Sequence, residues 1–322
     1  MNSIAEVAAF LRSHDSLTLI SHVSPDGDTL GSVLGLSMGL TRMGKQVQLV
    51  CEDPVPQVYS FLEGAEKFMS PERAVQTETV VTVDCADVRR TGSAQALFER
   101  ASHTMVIDHH MTNPLFGDVN YVHGVAATGE LIFGILEELG VTVDAEIAVP
   151  LYTAIACDTG NFAFSNVTKE SFLIASRLRE TGFDLPGVNR KLFRTFPARR
   201  MRLRARTLAN MELLDEGRYA VTTITMDEFA ACGASAEDAE GLIDDLRDID
   251  TVEVAALLRE AADGRVRVSM RGKSEADVSR VAVFFDGGGH KLAAGCTLDM
   301  PIMEAKAALS ERILDLLAGC DF

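Results

Sequence analysis

The sequence lacks any long run without charge, and this excludes a membrane-spanning helix. Its longest stretch free of Asp, Glu, Lys and Arg covers residues 29–41, whereas a transmembrane helix needs about 18 apolar residues. The N-terminus also lacks the pattern of a signal peptide, because Glu6 stands where such a peptide is apolar. We therefore expect a cytoplasmic protein that has no membrane partner.

Basic residues are scarce relative to acidic ones. The 322 residues include 30 Lys and Arg against 47 Asp and Glu, so the formal net charge is −17. Binding to long duplex nucleic acid depends on neutralising phosphates with basic side chains, so this composition disfavours such a partner. A small anionic substrate held in a local basic pocket is compatible with the same composition.

Cysteines are few and widely spaced. The chain has six, and no pair has the spacing of a zinc ribbon or a redox motif. We interpret them as reduced, buried thiols, which are typical of a cytosolic protein.

What the first half does have is an alternation of apolar runs and helical patterns. Strands are predicted over 17–21, 46–51, 79–85 and 104–107, and helices over 30–43, 94–100, 128–139 and 146–156. This alternation indicates βαβ units and a mostly parallel sheet, which is an α/β fold.

A second and smaller α/β pattern follows a basic segment. Eight of the residues in 190–206 are Lys or Arg, which fits either a solvated connecting helix or a surface that attracts phosphate. Beyond it, strands are predicted over 219–225, 252–258 and 265–270, and helices over 236–247, 277–285 and 303–317. The length favours two domains, and we place them at 1–185 and 211–322, joined by a basic linker at 186–210.

Acids and imidazoles follow the predicted strands of the first half and one later helix. Taken singly, each is more typical of a helix cap or a turn. Ligands of open parallel sheets bind at the carboxyl ends of the strands, so we expect these side chains to lie close together. They are His22, Asp26, Asp28, Asp84, Asp108, His109, His110 and Asp158.

This set of side chains predicts a centre with two metal ions. Aspartate and imidazole without thiolate suit a divalent ion such as Mn²⁺ or Mg²⁺. Cys85 and Cys157 adjoin two of the acids, but neighbouring residues of a strand point to opposite faces, so we expect buried thiols there. Four clustered carboxylates repel one another unless cations neutralise them, and a pair of ions activates water and holds a phosphoryl group.

These residues, in this order, resemble the motifs of the DHH phosphoesterase superfamily, in which the two ions are usually Mn²⁺ and Mg²⁺ is a substitute. The resemblance implies that Asp108 is an acid that supports the site, and that His110 stabilises the scissile phosphate. Ser24 and Thr29 differ from the residues frequent at their positions, but neither is a ligand. The resemblance implies six metal ligands: His22 and Asp26 for one ion, Asp28, His109 and Asp158 for the other, and Asp84 for both.

A glycine triplet marks the second half. Gly287, Gly288 and Gly289 precede His290, and Arg271 lies on a predicted strand with basic residues at alternate positions. Successive glycines let backbone N–H groups approach an anion closely. Taken alone, the glycines are most simply interpreted as a flexible loop. Because a basic strand lies nearby in the sequence, we interpret the three glycines, His290 and Arg271 as a cradle for a substrate phosphate.

The glycine triplet and its neighbours resemble the DHHA1 domain, so the resemblance covers nearly the whole chain. It implies a DHH domain followed by a smaller DHHA1 domain, with the active site in the cleft between them. Within the superfamily the chain is most similar to the bacterial nanoRNase group. That group implies an Mn²⁺-dependent hydrolase that cleaves short oligoribonucleotides to mononucleotides and removes the 3′-phosphate of 3′-phosphoadenosine 5′-phosphate.

Three other functions stay open at this point. The same site would serve a hydrolase of linear or cyclic dinucleotide second messengers. A manganese pyrophosphatase is disfavoured by the glycine–histidine sequence and by Asp26-Gly27-Asp28, and a non-catalytic nucleotide sensor is disfavoured by the full ligand set. The expected partners are short single-stranded RNA and phosphorylated nucleotides, and a homodimer is one of the oligomeric states left open.

Overall fold

The computed structural model describes residues 1–320 and separates the chain into two α/β units. The first covers Met1–Thr195, and the second begins at Phe196. The division falls inside the segment 186–210 that the sequence places between its domains. No helix in this described part of the chain combines the length and the apolar character needed to cross a bilayer.

The first unit is built on a six-stranded parallel sheet, which confirms the predicted fold class. The strand order is β3-β2-β1-β4-β5-β6. From β1 the chain adds β2 and β3 on one side, and it then returns to add β4, β5 and β6 on the other side. Ligands of such sheets bind where the strand order reverses, here at the carboxyl ends of β1 and β4. The strands are Ser16–Ile20 (β1), Gln46–Val50 (β2), Phe68–Met69 (β3), Thr79–Val83 (β4), His103–Asp108 (β5) and Val119–Val122 (β6).

The first unit has seven α-helices, and the one that carries Asp28 begins three residues earlier than predicted. The helix expected over 30–43 starts at Gly27, because the Asp26 side chain caps it by accepting hydrogen bonds from the amides of Asp28 and Thr29. Asp28 therefore lies in the first helical turn. The helices are Ile4–Ser13 (α1), Gly27–Arg42 (α2), Gln95–Glu99 (α3), Thr128–Glu138 (α4), Ala145–Asp158 (α5), Lys169–Glu180 (α6) and Leu185–Phe193 (α7).

Close packing of α2 on α5 holds two parts of the site together. Gly27, Gly31 and Gly35 are four residues apart, which places them on one face of α2. A methyl group built on Gly31 would lie 2.9 Å from the Ala154 amide nitrogen. The absence of side chains at this face thus sets how closely α2, with Asp28, approaches α5, with Asp158.

The second unit has a mixed six-stranded sheet of order β11-β12-β10-β9-β8-β7, in which only β8 and β9 pair in parallel. Helices α11 and α12 cover one face of it, and α8, α9 and α10 the other. The strands are Glu212–Leu214 (β7), Tyr219–Ile224 (β8), Val254–Glu260 (β9), Val266–Gly272 (β10), Gly288–His290 (β11) and Ala293–Leu298 (β12). The helices are Ala198–Ala209 (α8), Met226–Cys232 (α9), Leu242–Arg247 (α10), Val278–Phe284 (α11) and Ile302–Leu317 (α12).

The second unit departs from the sequence prediction in its helices. The helix expected over 236–247 is broken into a short 3₁₀ turn and α10, because Gly241 takes a left-handed conformation with φ of 73°. Within the basic segment, arginines of α8 form ion pairs with acids of the same unit, including Arg199 with Asp238 at 2.8 Å. These pairs favour the interpretation of α8 as a solvated helix.

We expect the Gly31→Ala variant to be less stable than the wild type. Alanine favours a helix over glycine by about 1 kcal/mol, but the added methyl group would overpack the contact with α5, at a cost of about 1–3 kcal/mol. Urea denaturation measures the change, and calorimetric titration with Mn²⁺ measures whether the separation of Asp28 from Asp158 has changed with it.

Gly134→Ala in α4 is the matched control. A methyl group there would lie 3.5 Å from Ile4 Cδ1, which is an ordinary contact, so this variant should keep or gain stability. Equal stability changes in the two variants would contradict the packing role of Gly31.

Candidate metal centre

The residues that the sequence singled out in the first unit lie together at the carboxyl edge of the sheet. His22 follows β1, Asp84 follows β4, and Asp108 ends β5. His109 comes next in the chain, and Asp158 is the last residue of α5. The structure thus brings the six predicted metal ligands into adjoining groups of three.

The first group consists of His22, Asp26 and Asp84. His22 Nε2 lies 3.7 Å from an Asp26 carboxylate oxygen and 3.6 Å from Asp84 Oδ2. On the other side of the ring, Nδ1 lies 2.8 Å from the Val23 carbonyl oxygen. When the ring is neutral and its proton is on Nδ1, that proton is donated to the carbonyl, and Nε2, which faces the two carboxylates, is free to bind a metal ion.

The second group consists of Asp28, His109 and Asp158. His109 Nε2 lies 3.4 Å from Asp158 Oδ2 and 4.0 Å from Asp28 Oδ2. His109 Nδ1 lies 3.1 Å from the carbonyl oxygen of Val125. Both histidines therefore have the same arrangement, in which a backbone carbonyl fixes one nitrogen and the other faces carboxylates.

Asp84 lies between the two groups. Its Oδ2 atom faces His22, while its Oδ1 atom is 3.6 Å from His109 Nε2. The backbone of Asp84 is left-handed, with φ of 62°, and the Thr128 hydroxyl donates to Oδ1 at 2.8 Å. A strained backbone of this kind persists only where its surroundings hold it, as is frequent at functional sites. The bridging role of Asp84 stays a prediction.

Burial and mutual repulsion disfavour the charged forms of two carboxylates. Asp28 is fully buried, and burial, followed by the charges of Asp84 and Asp158, raises its pKa well above the usual range. Burial likewise raises the pKa of Asp158 to about 6. Burial lowers the pKa of His22, but hydrogen bonding with Asp26 and Asp84 outweighs it and raises that pKa to about 10. Such a group of oxygens and imidazoles fits divalent cations, which would relieve this repulsion.

His110 is held differently from His109. Its Nδ1 atom donates to Asp108 Oδ1 at 2.7 Å, and the Asn113 amide donates to the other oxygen of Asp108 at 2.7 Å. Although His110 Nδ1 is also 3.9 Å from Asp84 Oδ1, its proton is committed to Asp108, so this nitrogen is a poor metal ligand. The hydrogen bond from His110 also helps to lower the pKa of Asp108 against the opposing effect of its burial.

Sequence reasoning missed the residues that support the ligands. The amides of Thr128 and Gly129 donate to the two oxygens of Asp28 at 2.7 and 3.0 Å. These are free N–H groups of the first turn of α4, where a negative charge is favoured. The only sequence signal for these two amides was the predicted start of a helix at residue 128. For Asn113, which fixes Asp108, no sequence signal was recognised.

Of the two cysteines beside the acids, Cys85 is buried as expected, whereas Cys157 is only partly buried. Cys85 is fully buried. Cys157 packs against Gly27, and burial raises its pKa to about 12. Both thiols are therefore protonated at neutral pH, and the candidate ligands are only aspartate and imidazole side chains.

The substrate-binding residues predicted in the second unit lie on β11, just before it, and on β10, which is the third strand from that edge of the sheet. Gly287 precedes β11, whereas Gly288, Gly289 and His290 form this exposed edge strand, which pairs with β12. His290 on β11 and Arg271 on β10 both pair with Ala293 of β12, so they lie on the same face, about 10 Å apart across two strand spacings. Arg271 Nε is 3.8 Å from Asp244 Oδ1. A methyl group on Gly289 would lie 2.5 Å from the Ala293 carbonyl oxygen.

Comparisons with known proteins agree with this division of the chain. The model of the DHH family, N-terminal domain, matches residues 16–155, and the DHHA1 domain model matches residues 216–319. A protein of Thermus thermophilus named bifunctional oligoribonuclease and PAP phosphatase NrnA is 34% identical over 301 residues, which cover 92% of this chain and 88% of that protein.

Two further proteins are similar over most of this chain. The crystal structure of an exopolyphosphatase-related protein from Bacteroides fragilis superposes with a TM-score of 0.90, at 26% identity and 97% coverage of both chains. The cyclic-di-AMP phosphodiesterase GdpP of Geobacillus thermodenitrificans is 27% identical over 325 residues, which cover 95% of this chain but only 48% of that protein.

We expect Asp84→Ala to lose both bound metal and activity, because Asp84 faces both groups of ligands. The rate of hydrolysis of bis-p-nitrophenyl phosphate with Mn²⁺ should fall on the order of 10³-fold or more. Metal stoichiometry is measured by calorimetry. Asp15→Ala, which removes a fully exposed carboxylate, is the control. An Asp84→Ala variant with two tightly bound Mn²⁺ ions and normal turnover would disprove the assignment.

His109→Ala and His110→Ala should differ in their bound metal. His109 presents Nε2 to the carboxylates, so its loss should lower Mn²⁺ affinity. His110 is held by Asp108, so its loss should lower kcat while the metal content stays near normal. Measuring bound manganese and kcat in both variants tests this difference, and equal metal loss would show that the two histidines share one role.

Proposed function

The chain belongs to the DHH phosphoesterase family with a DHHA1 second domain, and from this premise we propose a specific hydrolase activity. The enzyme cleaves short oligoribonucleotides to mononucleotides and removes the 3′-phosphate of 3′-phosphoadenosine 5′-phosphate, using two Mn²⁺ ions. The observation that carries this proposal is the 34% identity to the Thermus oligoribonuclease and PAP phosphatase over 92% of the chain. The complete set of acidic and imidazole side chains at the sheet edge supports it.

The residues present fit two divalent ions. His22 and Asp26 would hold one ion, Asp28, His109 and Asp158 the other, and Asp84 both. Bound ions of this kind supply an activated water and a clamp on the oxygens of the phosphoryl group. We propose Mn²⁺, for which Mg²⁺ is a substitute, because both take oxygen ligands and Mn²⁺ also accepts imidazole.

His110, which is held by Asp108, would place a positively charged ring beside the ions. The hydrogen bond to Asp108 raises the pKa of His110 although burial opposes it, and a raised pKa favours the imidazolium form. Because Nδ1 donates to Asp108, Nε2 is the nitrogen left to donate to an oxygen of the scissile phosphate. We assign His110 this role, and we assign Asp108 the role of orienting it.

The second unit supplies contacts with the substrate away from the ions. In this proposal Arg271, His290 and the three glycines of residues 287–289 bind a second phosphate or a terminal nucleotide. Gly287 and Gly289 have a packing reason to lack a side chain, because a methyl group on either would collide with β12. Gly288 has none, since nothing lies within 4 Å of the position where its methyl group would be.

Short substrates and a reducing compartment fit the remaining properties of the chain. A net charge of −17 disfavours long polyanions through general repulsion, whereas a short oligonucleotide needs only local contacts. The six cysteines are all free, which is consistent with the cytoplasm.

Hydrolysis of dinucleotide second messengers is the second candidate function. The relative that favours it is the cyclic-di-AMP phosphodiesterase of Geobacillus, at 27% identity. This chain spans about half the length of that protein, so the similarity supports shared chemistry more than a shared substrate.

A product time course separates the two functions. Labelled RNAs of two to twenty residues, 3′-phosphoadenosine 5′-phosphate, and linear and cyclic diadenylate are incubated with the enzyme and Mn²⁺, and in parallel with chelator. The proposal expects mononucleotides from the shortest RNAs and release of phosphate from the 3′-phosphorylated nucleotide. Faster turnover of the diadenylates than of every RNA would favour the second candidate, and no hydrolysis of any substrate would disprove both.

We expect Gly288→Ala, His290→Ala and Arg271→Ala to impair only natural substrates. His290→Ala and Arg271→Ala each remove a charge-assisted hydrogen bond, which weakens binding by about 1.5–3 kcal/mol, and the methyl group of Gly288→Ala would keep a phosphate away from the backbone. Activity on dinucleotides and on 3′-phosphoadenosine 5′-phosphate should therefore drop steeply. Turnover of bis-p-nitrophenyl phosphate and the number of bound Mn²⁺ ions should hardly change. Kinetics on both substrate types and a melting curve for each variant provide the measurement.

The Gly288→Ala variant gives the sharpest test of the phosphate cradle. A methyl group there meets no protein atom, so a purely structural glycine predicts normal kinetics and a normal melting temperature. Equal losses on artificial and natural substrates in these variants would rule the cradle out.

A further inference from the structure

Arg90 lies beside the first group of metal ligands. It belongs to the short 3₁₀ segment Val88–Ala94 that follows β4. This segment is tied to the loop after β1, because the Val23 amide donates to the Arg90 carbonyl oxygen at 2.7 Å. The guanidinium Nη2 atom is 3.3 Å from His22 Nδ1, so one imidazole ring separates it from the carboxylates of Asp26 and Asp84.

The contact with His22 does not satisfy this guanidinium when His22 is a metal ligand. His22 Nε2 faces the carboxylates, and Nδ1 lies 2.8 Å from the Val23 carbonyl oxygen. A ring that binds metal through Nε2 carries its proton on Nδ1, and that proton is donated to Val23. Because a guanidinium group has only donors, Arg90 finds no acceptor on this ring.

Arg90 also lacks an acidic partner, unlike the arginine next to it. Within residues 1–320 no carboxylate oxygen lies within 4.0 Å of its nitrogens, whereas Arg89 donates to both oxygens of Asp87, at 2.8 and 3.0 Å. Arg90 is exposed in a chain whose net charge is −17. An unpaired guanidinium beside a cluster of carboxylates, yet bonded to none, retains its full capacity to bind an anion.

We propose that Arg90 binds a non-bridging oxygen of the scissile phosphate. The planar guanidinium forms two parallel hydrogen bonds with phosphate oxygens, which a lysine ammonium cannot reproduce. Arg90 is thus a substrate-binding residue of the first unit that acts on every phosphate ester the enzyme takes. This inference rests on the proposed function, because the anion that Arg90 binds is the phosphate that the proposed enzyme hydrolyses.

The test compares Arg90→Ala and Arg90→Lys with Arg89→Ala, the neighbour whose charge is already paired. Loss of the charge-assisted hydrogen bonds should lower kcat/KM of Arg90→Ala about 10- to 100-fold. The loss should be similar for bis-p-nitrophenyl phosphate and for a dinucleotide, because both contain the reacting phosphate. Bound Mn²⁺ should stay at the wild-type number, and millimolar methylguanidinium should restore part of the activity of Arg90→Ala but none to Arg90→Lys.

Calorimetric titration of the Mn²⁺-loaded proteins with AMP separates this inference from the proposed function. We expect Arg90→Ala to bind AMP about 10- to 100-fold more weakly than the wild type and Arg89→Ala to bind it normally. Weakened AMP binding in an enzyme without turnover would overturn the proposed function and leave the role of Arg90 standing. Wild-type AMP binding and wild-type kinetics in Arg90→Ala would overturn the role of Arg90 and leave the proposed function standing.

Discussion

Repulsion between carboxylates is the constraint on which the structure of the first unit depends. Asp28, Asp84 and Asp158 are held close enough that burial and mutual charge raise the pKa of Asp28 and of Asp158. Water cannot relieve this repulsion, because the side chains of Asp28 and Asp84 are almost entirely buried. The protein offsets part of it with imidazoles and backbone amides, and divalent cations are the remaining source of positive charge.

The fold meets this constraint with elements that cannot easily move apart. The first turn of α4 directs two free amides at Asp28, and the same turn fixes the strained Asp84 through the Thr128 hydroxyl. Glycines on α2 let it pack closely on α5. Packing and hydrogen bonds to the backbone thus hold carboxylates that repel one another. These contacts keep the carboxylates in place whether or not cations neutralise them.

The clustering of the candidate ligands could be predicted from the sequence, because most of them follow a recognisable strand or helix. An apolar β-branched run before Asp84 or Asp108 predicts a strand, and it also predicts that the aspartate lies at the carboxyl edge of the sheet. Thr128 and Asn113 could not be predicted, because their roles depend on which loops meet in space. The strand formed by Gly288, Gly289 and His290 was not predicted, since glycines show no side-chain alternation and only the pairing with β12 identifies the strand.

Selectivity would have to come from outside the proposed metal centre. A pair of ions recognises a phosphoryl group and not the groups attached to it, so discrimination among nucleotides requires contacts remote from the reacting atoms. Within the second unit, β11 is the edge strand of its sheet, and its residues Gly288, Gly289 and His290 are all exposed. Proteins usually protect such an edge with charged or bulky side chains or with a covering segment. Glycines leave the outer edge of β11 uncovered by side chains, which is costly to solubility unless a ligand uses that edge, and a phosphate is the ligand that the proposed function supplies.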